Sequence, residues 1–107
     1  MSSASCNFEC KLRVCPPLLT IRLYRELDVL AAERLAWPAW AELKAVSVLL
    51  IDLRGLTFCD SAGLAAVQSL CDTAQDRGWD VRVRGVSPLV RKVARITGIA
   101  EKWILEA

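Results

Sequence analysis

Histidine is missing from all 107 residues. That absence removes Ser-His-Asp and Cys-His catalysis, and most zinc sites, in one step. A dominant charge is missing as well. The 14 basic residues stand against 12 acidic ones, a net of +2, which is too even a balance for direct binding to nucleic acid to be the main role. No run approaches the ~20 apolar residues that cross a bilayer. The opening Met1-Ser-Ser-Ala-Ser-Cys-Asn-Phe-Glu9 lacks the basic and apolar regions of a signal peptide. A cytoplasmic location without membrane insertion is therefore expected. The five cysteines, Cys6, Cys10, Cys15, Cys59 and Cys71, are odd in number and show no C-x-x-C spacing. They read as small buried residues in a reducing compartment rather than as a metal or redox centre. No metal or other cofactor is expected. Repeats, linkers and low-complexity stretches are absent too, so the reading is one domain over residues 1–107, with its core from about 8 to 103.

Against these absences stands an apolar content of 54%. A chain of this length buries roughly two thirds of its unfolded surface, enough for a true core. Phe8, Cys10, Leu12 and Val14 alternate with charged neighbours, the period of a half-buried strand. Cys15-Pro-Pro17 breaks that strand. Leu19, Ile21 and Leu23 begin a second one, so the pair predicts a hairpin. Asp28 is placed to cap a helix running to about Leu43, with Pro38 kinking or splitting it between Trp37 and Trp40. Trp79, Val81 and Val83 alternate as a fourth strand. Ser87-Pro88 starts a helix that Gly98 stops, with Leu89, Val90, Val93, Ala94 and Thr97 facing inward. From Ile99 onward either a final strand or a half-turn of helix fits.

The stretch from Leu49 to Leu64 organises the rest. An apolar run from Val46 to Leu53 predicts a strand buried on both faces, with Asp52 at its end as a structural residue. A short loop from Arg54 to Cys59 follows, and then a helix start at Asp60 and Ser61. Leu64, Val67, Cys71 and Ala74 make that helix's inner face, and Gly78 ends it as a left-handed cap. A strand that delivers a polar residue to a helix start sets it at the carboxyl edge of the sheet, where α/β proteins usually carry function. Ser61 is thus the candidate functional hydroxyl, read as a helix N-cap that holds its oxygen outward. The fold expected is α/β, order β-β-α-β-α-β-α. It has a mixed four- to five-stranded sheet, parallel β-α-β connections and helices mainly on one face.

Leu56-Thr-Phe-Cys-Asp-Ser-Ala-Gly-Leu64 resembles the signature of the STAS domain of anti-sigma factor antagonists, in which an apolar strand leads through a loop with Phe to Asp-Ser-x-Gly-Leu. Arg25-Glu-Leu-Asp28 resembles that family's Gly-Glu-Leu-Asp, with Arg25 where the family has glycine. Gly85-Val-Ser-Pro88 with Ile96-Thr-Gly98 resembles the segment leading into its last helix. The three stretches agree in order and spacing over nearly the whole chain, from Phe8 to Trp103. The resemblance implies a single STAS-like domain acting as an anti-sigma factor antagonist. Such a protein binds an anti-sigma factor that is also a serine kinase, is released when that kinase phosphorylates Ser61, and is reset by a phosphatase, so regulating transcription. It implies a partner-binding surface of Asp28, Asp60, Ser61, Ala62, Gly63 and Leu64. The alternative it leaves is a small STAS subunit on the cytoplasmic side of a lipid-transport complex. An enzyme is not expected, because Ser61 has neither a histidine nor a lysine placed by sequence beside its loop. Arg91, Lys92, Arg95 and Lys102 read as a solvated basic face.

Overall fold

A computed structural model of the chain describes residues 7–35 and 44–105. The elements run β1 (Phe8–Cys15), β2 (Leu18–Leu27), α1 (Val29–Arg34), β3 (Val48–Cys59), α2 (Ser61–Asp76), β4 (Asp80–Arg84), α3 (Pro88–Thr97) and α4 (Glu101–Ile104). The sheet has the order β1-β2-β3-β4. Its first pair is an antiparallel hairpin turned at Pro16 and Pro17, and β2, β3 and β4 are parallel. The expected mixed α/β architecture stands, with four strands. The segment after Gly98 resolves into the helical alternative, the single turn α4. The expected kink at Pro38 and the tryptophans Trp37 and Trp40 lie outside the described residues, and α1 is described only as far as its C-cap Leu35.

One hydrophobic core joins the helices to one face of the sheet. Leu19, Ile21 and Leu23 of β2 and Leu49, Ile51 and Leu53 of β3 share it with Leu64, Val67, Leu70, Cys71 and Ala74 of α2 and with Val90 and Ala94 of α3. Alternate residues point to opposite faces of a strand, so Thr20, Arg22, Leu50 and Asp52 turn away from that core. The alternation seen in β1 holds, but its burial does not: Phe8 is buried while Leu12 and Val14 are exposed, because the strand lies at the sheet edge. Leu89 and Thr97 of α3, expected to face inward, are exposed instead; Val90 and Ala94 carry the contact. The caps predicted at Gly78, Ser87 and Gly98 are present. Gly78 and Gly98 follow their helices in the left-handed region, and the Ser87 hydroxyl accepts a hydrogen bond from the Val90 amide.

The central strand departs from expectation. Residues 54–59 are not a loop: β3 continues to Cys59, pairing with β2 up to Leu27↔Cys59. Two register shifts make this possible, one between Arg22 and Tyr24 and one between Arg25 and Glu26. At each, β3 uses one more residue than β2, a β-bulge. The period-two pattern therefore breaks after Leu53 and burial returns at Leu56 and Cys59, every third residue. Asp52 consequently lies inside the strand rather than at its end.

Candidate functional site

The carboxyl ends of β2 and β3 bring two helix starts side by side. The Asp60 amide donates to the Leu27 carbonyl at 3.2 Å, tying the two strand ends together. Each strand then passes into a helix through an aspartate cap. The Asp28 carboxylate accepts from the Ala31 amide at 3.0 Å, and the Asp60 carboxylate accepts from the Gly63 amide at 2.8 Å. This changes the assignment of Ser61. The cap is Asp60, in extended backbone, and Ser61 is the first helical residue, exposed. Its hydroxyl is relieved of the capping bond that the sequence assigned to it. Among the described residues none shares a hydrogen bond with that hydroxyl.

The remaining residues expected at a partner surface divide. Asp28, Asp60 and Ala62 are half-buried at this edge. Leu64 is fully buried and Gly63 is buried beneath the first turn of α2. A Cβ on Gly63 would collide with the Leu27 carbonyl oxygen and come within 2.7 Å of the Leu27 Cγ. The glycine therefore lets α2 sit down on the end of β2. Its smallness serves an internal contact, and Leu64 anchors the same turn from inside, so that both residues fix the height of Ser61.

Sequence reasoning missed the apolar rim of this edge. Val29 (56% exposed), Leu30 (41%) and Phe58 (45%) stand open to solvent. The register places them at the same sheet end, since Phe58 pairs with Glu26 just before Asp28 and Asp60. A signal existed in Val29-Leu30 directly after the cap, where a first turn facing water normally carries acidic residues. Three large apolar side chains are thus left in water at the sheet end that also carries Ser61.

Elsewhere, the other prominent polar constellation surrounds Asp52, only 4% exposed. Arg54 meets it at 2.9 Å, Arg84 at 3.4 Å and Arg22 at 3.9 Å. Burial pushes the Asp52 carboxyl up, but the side-chain and backbone hydrogen bonds from Arg54, with the charges of Arg54 and Arg84, outweigh it and hold the group below the usual carboxylate range. Of the cysteines expected to be buried, Cys59 and Cys71 are, whereas Cys10 is half-buried and Cys15, at the end of the edge strand, is exposed. Burial first, and then a neighbouring aspartate, pushes Cys59 and Cys71 each up to about 12, so neither is a thiolate near neutrality.

Comparison with known proteins places this geometry. A family model described as "Mlab, STAS domain" matches residues 18–106. The anti-sigma factor antagonist SpoIIAA in its unphosphorylated form is similar, with 26% identity and a TM-score of 0.67 over 89% of this chain and 84% of that one. The Bacillus cell fate determinant SpoIIAA in the phosphorylated form gives 25% identity and a TM-score of 0.65 over 89% and 87%. A sulfate transporter family protein from Wolinella succinogenes shares the fold at 19% identity and a TM-score of 0.71, over 88% and 78%.

Proposed function

Since the chain belongs to the STAS domain family, we propose that it is a phosphorylation-switched binding module of the anti-sigma factor antagonist kind, with Ser61 as the switch. The observation that carries this reading is the exposed Ser61 hydroxyl, spared from capping by Asp60 and set at a fixed height by Gly63 and Leu64. In this reading the unphosphorylated edge docks an anti-sigma factor that is also a serine kinase. Val29, Leu30 and Phe58 supply apolar contact, and Asp28 and Asp60 supply polar rim. The serine oxygen attacks the γ-phosphorus of ATP held by that partner, its proton passes to a base of the kinase, and ADP leaves. A phosphatase restores the hydroxyl. The likeness to SpoIIAA, solved in both phosphorylated and unphosphorylated forms, supports the reading.

The switch acts at the interface and leaves the fold in place. Phosphorylation adds about −1.5 to −2 charges. At the first helical position the macrodipole of α2 favours that charge, offsetting repulsion from the Asp60 carboxylate beside it. A like charge set against a partner costs several kcal/mol, whereas a hundredfold loss of affinity needs only about 2.7 kcal/mol. A pull-down with wild type, Ser61→Ala and Ser61→Asp tests this. The first two retain the kinase and the third loses it by roughly a hundredfold, the change that one repulsive charge suffices for. Intact mass after incubation with kinase and ATP rises by one phosphate in wild type and not in Ser61→Ala. A bound kinase that leaves the mass unchanged removes the switch.

The second reading that the resemblance leaves is a small STAS subunit on the cytoplasmic side of a lipid-transport complex; the same fold does occur in a sulfate transporter family protein. Such a subunit uses the same exposed edge for a permanent contact. Co-purification with a transporter ATPase that survives Ser61→Asp selects it.

A further inference from the structure

The face of the sheet away from the helices plays no part in the Ser61 reading. The pairing register lays it out in two rows across all four strands. One runs Arg13, Thr20, Leu50, Arg82; the next runs Lys11, Arg22, Asp52, Arg84. With strands about 4.8 Å apart, the cations at the ends of each row have backbones roughly 14 Å apart. A cavity of about 300 Å³ opens on this face, lined by the apolar Leu18 and Leu50, by Thr20, and by the guanidinium-bearing Arg13, Arg22 and Arg84.

The charge here is lopsided. Lys11, Arg13, Arg22, Arg54, Arg82 and Arg84 stand with Glu9, Glu26, Asp52 and Asp80. Three of those carboxylates already have a cation: Lys11 lies 3.6 Å from Glu9, Arg82 lies 3.2 Å from Asp80, and three arginines surround Asp52. The surplus of two positive charges on this one face equals the net +2 of the entire chain. The remainder of the chain is therefore balanced, and the positive potential is concentrated on the sheet face that no described helix covers.

We propose that this open face docks an extended acidic segment of a partner protein, carboxylates meeting the arginine rows and apolar side chains entering the cavity above Leu18 and Leu50. Charge complementarity selects an anion, and three features narrow the kind. The cations are spread over several strands with Arg22, Arg82 and Arg84 half-exposed or more, which suits carboxylates strung along a chain better than one compact ion. The cavity floor accepts aliphatic side chains. Single-stranded nucleic acid binds through stacking on aromatic platforms, and Tyr24, the aromatic that Glu9 pairs with on this face, already lies under the Lys11 ammonium at 5.4 Å.

Fluorescence anisotropy of a labelled peptide alternating Glu with Val, titrated with the full chain, tests the proposal. Arg13→Gln combined with Arg82→Gln is the variant of choice, because neither arginine is among the partners of Asp52; its melting temperature confirms an unchanged fold. The expected result is binding that weakens with salt, drops about tenfold in the double variant, and is untouched by Ser61→Asp. No binding, equal affinity in the double variant, equal affinity for the same peptide with Gln in place of Glu, or tighter binding of an oligothymidylate than of the acidic peptide overturns it.

Discussion

On the helix side of β3, Leu49, Ile51 and Leu53 share a dry core with Leu64, Val67 and Leu70 of α2. On the other side of the same strand Asp52 is nearly as deeply buried, yet among guanidiniums that reach into water. The first arrangement is held by apolar burial and carries no charge, so it does not answer to pH near neutrality. The second is held by charge, so it answers to pH and to the uptake of a single proton by Asp52. The carboxyl edge that presents Ser61 inherits the first kind of rigidity: Gly63 and Leu64 root it in the apolar layer, and the exposed hydroxyl is positioned by buried atoms.

Two substitutions set these faces against each other. Gly63→Ala drives a methyl into the Leu27 carbonyl. Backbone cannot yield as a side-chain tip does, so the expected loss is about 3 kcal/mol in urea unfolding, at the upper end for overpacking, and the same at every pH. An unchanged urea midpoint would show that α2 does not sit on β2 as described. Asp52→Asn is expected to cost less, about 2 kcal/mol near neutrality, because the arginines left behind are partly solvated. Its effect also depends on pH. The folded-state pKa of Asp52 is depressed, so its contribution is fully present above the unfolded value of about 3.9 and fades as pH falls through the lower folded value. The gap between wild type and Asp52→Asn should close in that acid window. Parallel stability curves for the two proteins would contradict the network.

Much of the apolar layer was legible, because period two in β2 and β4 and the helical spacing of Leu64, Val67, Cys71 and Ala74 are direct images of burial. The end of β3 was not. Two bulges convert its burial rhythm from every second to every third residue, at Leu53, Leu56 and Cys59, and that rhythm reads as a loop to any test for alternation. Asp52 suffered from the same misplacement: once the strand seemed to stop at Leu53, an aspartate there looked terminal. At the site, the order Asp60-Ser61 was visible but its division of labour was not. Both residues are good caps, and only the geometry shows that the Asp60 carboxylate takes the Gly63 amide and leaves the serine free. In the rim, Val29 and Leu30 left a signal as apolar residues in a first turn, whereas exposure of the single Phe58 carries no sequence signature of its own.

The second bulge leaves one trace that sequence did flag, and it supplies the mildest test. Arg25 stands where the family's related stretch has glycine, and it adopts φ +72°, in the left-handed region. For a residue with a Cβ that conformation costs roughly 1–2 kcal/mol, a penalty glycine largely escapes. The position is forced, since Arg25 pairs with Leu56 immediately before the register shift that brings Glu26 opposite Phe58. Arg25→Gly is therefore expected to raise stability by about 1 kcal/mol, once the greater freedom of glycine in the unfolded chain is set against the relieved strain. The exposed arginine side chain gives up little in return. A melting temperature that falls would mean that the arginine makes a contact outweighing its backbone strain, and that this bulge is held by its side chain rather than merely tolerating it.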